Sequence, residues 1–489
     1  KLTRVPLIGK PLARAIENAK NMVKSVTTGG EMFEALGFRY LGPFDGHNIE
    51  EMTHVFEEAK QVQDTPLLIH VITQKGHGYD LAERQPEKFH GVAPFRVENG
   101  MKRSQSSKES AAQAAGKELM NMAAEDARVV AVTAAKMNGM KASLDGFTIK
   151  NGSSQFSSVG STTIGGVKFY QSYGAGIFIG NATVDILNCK IVDNTDIRMG
   201  AIRVDAGAEA LFDNCVVADN ATKSTTTYNC GGLWADGAKL LRINNCTFSN
   251  NKASGVAPCI YVFGDTGGKT NVLISNTTIS GNSVNPEHAT LNGGGIYVRE
   301  NGNLVIVNST VCGNHSGKGG GIAVYGKAAK PSKAVIVSCT IAGNTTVTAG
   351  NGAGLQQAAV GGAIEVYNTL ISGNTTDGAA DDVAWFKDAS YKVANSIIGG
   401  TVYNADGMAV AGAAFDPASM LSPLGDNGGA TKTCVLLGDA NPARQYGMSA
   451  SELKILGETL DPAFGEAVSA IDQTGASRTG KTVIGAVVK

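Results

Sequence analysis

The sequence predicts a mainly β protein, a right-handed parallel β-helix with coils of about 30 residues, preceded by a truncated α/β segment. One observation is a short template that recurs seven times, with closing asparagines 26 to 32 residues apart. The other is a change in composition. The first 136 residues include 35 charged ones, about 26%, against 50 among the remaining 353, about 14%.

The whole-chain averages exclude several classes of function. The 489 residues carry a net charge of −1, which argues against nucleic-acid binding and against a basic membrane-surface patch. No apolar run approaches the ~20 residues of a transmembrane helix. The sequence starts at Lys1 without a recognisable signal peptide. We therefore expect a fragment whose localisation cannot be read from its beginning.

Residues 1–136 have the periodicity of an α/β protein. Apolar residues at helical spacing predict the second of three helices, with Asn48 as N-cap and a buried face of Ile49, Met52, Phe56 and Ala59. Short apolar runs predict strands of a buried, mostly parallel sheet. The predicted segments are helices at 11–25, 49–62 and 110–123, strands at 67–73 and 128–132, and a polar linker at 97–109.

Four ordered blocks in this segment closely resemble 1-deoxy-D-xylulose-5-phosphate synthase. They read FEALGFRYLGPFDGHN from Phe33, PLLIHVITQKGHGY from Pro66, PEKFHGVAPF from Pro86, and AAGKEL from Ala114 through to VTAA at 132–135. That family, usually homodimeric, uses thiamine diphosphate and Mg²⁺ to join pyruvate to glyceraldehyde 3-phosphate for isoprenoid synthesis. The resemblance implies that Tyr79 lines the cofactor site and that His90 lies near the substrate.

The match to this family is incomplete in ways that bear on catalysis. His77 occupies a position that the family usually fills with lysine. The Gly-Asp-Gly…Asn segment that binds Mg²⁺ and the diphosphate is absent, and so is the glutamate that activates the thiamine ring. We therefore expect no cofactor for this chain, and interpret Tyr79 and His90 as site residues of a catalytically incomplete fragment. A related transferase activity stays an alternative.

The repeated template defines the second part of the chain. It opens with Asn (once Ser), continues with Cys, Ser or Thr, and has an apolar side chain fourth and Asn seventh. Three short β segments per coil would bury one shared core, with Cys189 and Ile191 inward and the asparagines at corners. The copies are Asn188–Asn194, Asn214–Asn220, Asn245–Asn251, Asn276–Asn282, Asn308–Asn314, Ser338–Asn344 and Asn368–Asn374.

The register also predicts how the cysteines are used. Cys189, Cys215, Cys246 and Cys339 share one inward position, where parallel side chains have poor disulfide geometry. Buried free thiols are favoured over disulfides, which eight cysteines in a secreted protein would otherwise suggest. No Cys-x-x-Cys or His-x-x-x-His spacing occurs, so we predict no zinc site.

The ends of the second part also resemble a class of proteins. LDGFTIKNG from Leu144, GGAI at 361–364 and FSNN at 248–251 resemble bacterial right-handed β-helix surface proteins of the polymorphic outer-membrane type. The order from LGDNGGATKT at 424–433 to IGA at 484–486 is similar to their C-terminal closing segment. The resemblance implies a secreted or cell-surface protein, whereas the first segment suggests the cytoplasm.

Two functions remain open for the β-helix. An adhesive or structural surface role with an unknown cell-surface or glycan ligand is the favoured one. A polysaccharide lyase or hydrolase is the alternative, because paired carboxylates in β-helix grooves cleave acidic glycans. His288 and His315 read as solvated loop residues, and Asp381-Asp382, the one acidic pair, as a turn. Trp234 and Trp385 are too few for a sugar-stacking platform.

The predicted organisation has one sharp joint at residues 135–144. A cytoplasmic enzyme sequence there runs into a repeat normally found outside the cell, inside what should be a thiamine-enzyme domain. We interpret the chain as a chimera, with a natural fusion as the alternative. The predicted domains are 1–96 and 110–136 of the synthase type, separated by the linker, then the β-helix at 144–410 and its closing segment at 411–489.

Overall fold

A computed structural model of the chain divides into two compact units, residues 1–108 and 109–489, and each is described by itself. Not every residue is described. The described residues are 34, 37–62, 65–84, 142–153, 161–164, 167–170, 175–197, 199–223, 229–255, 257, 259–264, 268–284, 292–460, 471–480 and 482–488.

The first unit contains a β-α-β element. Strand β1 (Arg39–Asp45) pairs in parallel with β2 (Leu67–Ile72), and helix α1 (Ile49–Ala59) connects them. Helix α2 (Asp80–Arg84) follows the second strand. The predicted cap is confirmed, since the Asn48 side chain accepts a hydrogen bond from the Glu51 N–H.

The predicted apolar face of α1 is wrong in part. Met52 and Val55 are buried, whereas Ile49 is 79% exposed and Phe56 49% exposed. The helix packs on a sheet of only two described strands, which is too narrow to cover the whole apolar stripe. For the same reason β2, predicted as buried, is only half-buried. The predicted segments at 11–25, 97–109, 110–123 and 128–132 lie outside the described residues.

The second unit is a parallel β-helix whose coils each contribute strands to four sheets. Sheet I comprises β7 (Ile177–Ile179), β11 (Ile202–Val204), β15 (Leu233–Asp236), β19 (Ile260–Phe263), β23 (Ile296–Arg299), β27 (Ile322–Tyr325), β31 (Leu355–Gln357) and β36 (Val383–Ala384). Sheet II comprises β3 (Ala142–Asp145), β8 (Thr183–Leu187), β12 (Glu209–Asp213), β16 (Leu240–Asn244), β20 (Thr270–Ser275), β24 (Gly302–Val307), β28 (Ser332–Val337), β32 (Gly362–Tyr367) and β37 (Tyr391–Ala394).

The other two sheets complete each coil. Sheet III comprises β4 (Thr148–Lys150), β9 (Lys190–Val192), β13 (Val216–Ala218), β17 (Thr247–Ser249), β21 (Thr278–Ser280), β25 (Thr310–Cys312), β29 (Thr340–Ala342), β33 (Leu370–Ile371), β38 (Ser396–Ile398), β39 (Thr401–Tyr403) and β40 (Ala409–Ala414). Sheet IV comprises β10 (Thr195–Asp196), β14 (Ala221–Thr222), β18 (Lys252–Ala253), β22 (Ser283–Val284), β26 (His315–Ser316), β30 (Thr345–Thr346), β34 (Thr375–Thr376) and β35 (Ala379–Ala380). A hairpin of β5 (Ser161–Ile164) and β6 (Val167–Tyr170) lies between the first two coils in sequence.

The prediction of three strands per coil is wrong, because each coil contributes strands to four sheets. The extra one is the two-residue strand of sheet IV, which directly follows the closing asparagine and is too short to show a period in the sequence. The predicted register is confirmed: Cys189, Ile191, Cys246 and Phe248 are at most 1% exposed and belong to one continuous apolar core.

Each template has two positions whose backbone requires special residues. The first residue has φ between 46° and 53° in all seven copies, a left-handed conformation that Asn tolerates. The sixth residue also has positive φ, and this position holds only Asp, Asn or Gly, as at Asp193, Asn250 and Gly281. The first residue turns the chain from sheet II into sheet III, and the sixth turns it from sheet III into sheet IV.

The closing asparagines form a buried ladder along the axis. Each amide donates from Nδ2 to Oδ1 of the next asparagine at 2.8–3.0 Å, and the same oxygen accepts the backbone N–H. The second Nδ2 hydrogen reaches a carbonyl of the preceding coil, as in Asn282 to Phe248. The ladder contains Asn194, Asn220, Asn251, Asn282, Asn314, Asn344 and Asn374, and it ends on Asp382 Oδ1.

A second ladder explains the Cys, Ser or Thr at template position two. The backbone N–H of Cys246 donates to Thr277 Oγ1 at 3.2 Å, while the Cys246 thiol donates to the Asn244 carbonyl. The Cys339 N–H donates in the same way to Thr369 Oγ1 at 3.1 Å. The position therefore needs a small side chain that both donates and accepts, which only these three residue types provide in a core.

The segment after residue 411 covers two outward faces of the solenoid. It contains helices α3 (Pro417–Met420) and α4 (Ala450–Thr459) and a 3-10 helix, Pro442–Arg444. Leu453 of α4 packs on outward residues of sheet II such as Val305 and Val335. On sheet III, Gln473 accepts a hydrogen bond from Thr310 Oγ1 at 2.6 Å, and the Thr340 hydroxyl accepts the Ala486 N–H.

We predict that Asn314→Ala lowers the unfolding stability by about 2–4 kcal/mol, because it removes one amide and leaves the groups of Asn282 without their acceptor. The measurement is the midpoint of urea unfolding. The control is Asn271→Ala, a half-buried outward residue of β20 whose amide also bonds neighbouring coils, at Lys239 and Asn303, but near the surface. It should lower stability by no more than about 1 kcal/mol. Equal midpoints for the two variants would show that the ladder does not hold the coils together.

The end of the ladder predicts a pH dependence. Burial raises the pKa of Asp382, against the opposing effect of its hydrogen bonds from Asn374. With a folded pKa above the unfolded one, its stabilising contribution is full at low pH and is lost as pH rises through the folded pKa. The Asp382→Asn variant keeps the acceptor oxygen but carries no charge. We therefore expect it to be more stable than the unmutated chain, and the difference between their urea midpoints should grow from about pH 4 to about pH 7. The control is Asp377→Asn in the adjacent exposed turn; a gain independent of pH would contradict the assignment.

Candidate functional site

Three outward side chains of sheet I form a row that we call the buried aromatic row: Trp234, Tyr261 and Tyr297. They are paired neighbours in register on β15, β19 and β23. Trp234 meets Tyr261 edge-on with ring centroids 4.7 Å apart, and Tyr261 stacks on Tyr297 at 5.5 Å. Although they point away from the central core, each is at most 5% exposed.

Described parts of the chain between sheet IV and sheet I, at Cys230 and Ala257, pack against the row. Cys230, Ala257 and Val284 pack with the three rings in one apolar cluster. Burial raises the pKa of Tyr297 to about 12, and it also holds the pKa of Tyr261 well above its ordinary value. Both phenols therefore stay protonated at neutral pH, and the row acts as a second core.

A buried ion pair closes one end of the row. The Arg203 guanidinium lies over the Trp234 ring, 4.9 Å from its centroid, and it bonds Asp205 at 2.6 Å and Asp236 at 3.0 Å. Burial raises the pKa of Asp205, and Arg203 only partly offsets that effect. One guanidinium thus joins Asp205 of its own coil to Asp236 of the next coil.

Beside the row lies a more open set of side chains, which we call the exposed rim: Phe263, Arg299, Tyr325 and Lys327. The Arg299 guanidinium carbon lies 5.6 Å from the ring centroids of both Phe263 and Tyr325. Glu300, 3% exposed, holds Arg299 at 2.6 Å and Lys327 at 2.8 Å. Two cations against one carboxylate, flanked by two half-buried rings, give a surface suited to an anionic sugar.

The sequence analysis did not predict the buried aromatic row, because it looked for a sugar-stacking platform only by counting tryptophans. The missed signal is the strand pattern Leu233-Trp234-Ala235, Ile260-Tyr261-Val262 and Ile296-Tyr297-Val298, in which the middle residue of successive coils is aromatic. The other tryptophan, Trp385, stacks on Tyr391 with centroids 4.3 Å apart and packs against the C-terminal end of the main core. It therefore closes the solenoid.

The acidic residues considered for catalysis have structural contacts. Asp381 and Asp382 lie in the connection between β35 and β36, after the turn at 377–378. Asp381 accepts hydrogen bonds from the Gly350 and Gly352 N–H groups and from Thr376. Asp382 ends the asparagine ladder. His315 is not a solvated loop residue: it is half-buried in β26, with Nδ1 2.8 Å from Thr345 Oγ1. His288 lies outside the described residues.

The prediction of free thiols is confirmed for all eight cysteines, and the prediction of burial for seven of them. Every one is a free thiol, and seven are buried, with Cys312 intermediate. Burial raises the pKa of Cys339 to about 12, as it does for Cys230. Such thiols are inert at neutral pH.

In the first unit, the loop after β2 positions Tyr79. Gly76 and Gly78 have φ of 84° and 87°, which open a tight turn into α2. The His77 ring stacks on His47 with centroids 3.9 Å apart, and His77 Nδ1 lies 3.3 Å from Glu83 Oε1. Tyr79 itself is half-buried, and its carbonyl accepts hydrogen bonds from the Ala82 and Glu83 N–H groups at the start of α2.

His90, the other site residue that the resemblance implies, lies outside the described residues, so its position relative to Tyr79 is not described. Among the described ranges, no three His, Cys, Asp or Glu side chains cluster in a way that could hold a metal ion such as the Mg²⁺ of the cofactor.

Two family models match the chain. Residues 1–73 match 1-deoxy-D-xylulose-5-phosphate synthase, and residues 130–263 match the right handed beta helix region. The fold is accordingly a right-handed parallel β-helix of nine coils, counted on sheet II, after a synthase-like segment. No solved structure matches the chain.

Curated relatives include 1-deoxy-D-xylulose-5-phosphate synthases that match a stretch of 138 residues. The synthase of Clostridium kluyveri is 44% identical over 138 residues, that of Caldanaerobacter subterraneus subsp. tengcongensis 48%, and that of Halothermothrix orenii 41%. Each alignment covers 28% of this chain and 22% of the relative. The chain thus spans about a fifth of the length of these synthases and joins that piece to a β-helix.

Proposed function

We propose that the β-helix has an adhesive or structural role at a cell surface, secreted or attached there, and that it binds an anionic glycan on the exposed rim. The observation that supports this proposal is the exposed rim, where the stacked coils hold two cations next to two half-buried rings. Sugars bind proteins through ring faces and charged groups of this kind. Among the described residues no helix is long and apolar enough to cross a membrane.

The geometry favours binding over cleavage. Asp381 and Asp382 are committed to backbone and ladder contacts, while the carboxylate at the rim, Glu300, is already paired with two cations. A lyase or hydrolase needs a carboxylate or a metal-assisted base that faces the substrate. The proposed role therefore uses the rim as a contact surface.

We predict that the full chain is retained by alginate in an affinity gel, and that Lys327→Ala and Tyr325→Ala each weaken the affinity about tenfold, because each removes a direct contact. The matched control is Lys239→Ala, which also breaks an exposed ion pair, with Glu209, but on sheet II. It should leave the affinity within about twofold. Equal retention of all variants would contradict binding at the rim, and new unsaturated ends would favour a lyase.

For the first segment we propose a catalytically incomplete piece of a thiamine-diphosphate synthase. Its apolar residues Ile49, Phe56 and Ile72 are 79%, 49% and 56% exposed, as expected for part of a larger α/β domain. A transferase related to the synthase is the second candidate, supported by the similarity of this segment to the synthases.

We predict no turnover of pyruvate and glyceraldehyde 3-phosphate by the purified chain with thiamine diphosphate and Mg²⁺. The reason is that the motifs for the metal and for ring activation are missing from the sequence. The assay measures the deoxyxylulose phosphate formed, with a full-length synthase as positive control. Product above the enzyme-free rate would support the transferase instead.

A further inference from the structure

The last coil of the solenoid leaves part of the core uncovered. Strand β36 is the final strand of sheet I and β37 the final strand of sheet II, so each is an edge strand with one neighbour. Tyr391 of β37 lies in register with Ile364, which is fully buried in the coil before it, yet Tyr391 is 54% exposed. Val393, at the next core position of the same strand, is only half-buried. Inward positions of this coil therefore face out of the stack.

Three large apolar side chains lie around this place, which we call the open end: Phe386, Tyr391 and Met408. Phe386, in the connection between β36 and β37, is 44% exposed, and Met408 is 59% exposed. Met408 follows Gly407, whose backbone approaches the Val393 carbonyl so closely that a Cβ there would lie 2.6 Å from the oxygen. Terminal coils of solenoids need a polar outer face to stay apart, so an apolar one marks a contact surface.

A charged turn stands beside the open end. The Phe386 carbonyl accepts the Ala389 N–H, and the turn presents Lys387 and Asp388, both exposed. Opposite charges on adjacent residues are self-complementary. Across a twofold axis, Lys387 of one copy meets Asp388 of the other, and the same contact repeats in reverse.

We propose that the open end is a self-association surface, at which two copies of the chain meet about a twofold axis. The proposal goes beyond the adhesive role and does not depend on it. The unpaired edge of β37 faces along the solenoid axis, and a copy placed there by the twofold axis runs antiparallel to it, as two edges that share a ladder can. The apolar surface then covers its own equivalent, and the turns add two reciprocal ion pairs.

The size of the surface sets the expected strength. One end of a single coil is small for a protein interface, and small interfaces give weak complexes. We therefore expect a dissociation constant on the order of 10 µM for the dimer.

The test is sedimentation velocity of the full chain between roughly 1 and 100 µM, a range that brackets a weak dimer. Lys387→Asp should weaken the dimer about tenfold or more, because carboxylates then face carboxylates across the axis. The double variant Lys387→Asp with Asp388→Lys should restore the affinity to within about threefold. A chain that stays monomeric over this range would overturn the proposal, as would a double variant no tighter than the single one.

The matched control is Lys454→Asp, the same charge change on the exposed face of α4, which should leave the dimer unchanged within about twofold. A dimer that ignores Lys387→Asp would show that the copies meet elsewhere, for example through the synthase-like segment, and would also overturn the proposal.

Hydrogen exchange of the unmutated chain provides a second measurement. The backbone N–H groups of β37 should exchange more slowly as the concentration rises, whereas those of the turn at Lys327 should not change. Asp388 has φ of 61°, where lysine is less favourable, and this measurement needs no variant. Exchange in β37 that is independent of concentration would contradict the proposed contact.

Discussion

Coils stacked in register place each position of the template next to its own equivalent in the neighbouring coil. A polar group turned into the core can then be satisfied along the axis, by the same group one coil away. An amide meets this condition because it donates and accepts at once, and so do the thiols and hydroxyls of the second ladder. The spacing of the coils, their register and the composition of the template all follow from this one constraint.

The inward face is uniform, but the outward faces are not. On sheet III, the outward position is exposed or half-buried at Lys190 and Thr247, then buried at Thr310 and Thr340, where the C-terminal segment lies on it. On sheet I, aromatic residues and Arg203 are covered by the connections between coils. The exposed rim stays accessible between these covered regions, which is why we place the binding role there.

Much of the inward architecture could be predicted from the sequence, since a template that repeats with a period near the coil length reports directly on stacking. The inward position of Cys246 and the corner position of Asn251 were predicted in this way. The two-residue strands of sheet IV could not, because two residues show no period. The buried aromatic row was missed because its members are far apart in the chain and meet only once the coils are aligned.

The contact between Thr278 and Lys432 has no sequence signal at all, because it depends on where the C-terminal segment lies on the solenoid. For α1, the predicted face assumed a complete sheet beneath the helix. The structure gives it two described strands, so Val55 is buried and Ile49 is exposed. Local periodicity predicted the helix but could not show what it packs against.

The account rests on the asparagine ladder, and residue-resolved hydrogen exchange tests it most directly. The backbone N–H groups of Asn220, Asn251, Asn282 and Asn314 donate to side-chain oxygens, not to strand partners. We predict that they exchange as slowly as the N–H groups of the central strands, opening only with the whole solenoid. Exchange at the rate of exposed turn amides would show that the ladder is open in solution, and would contradict the account.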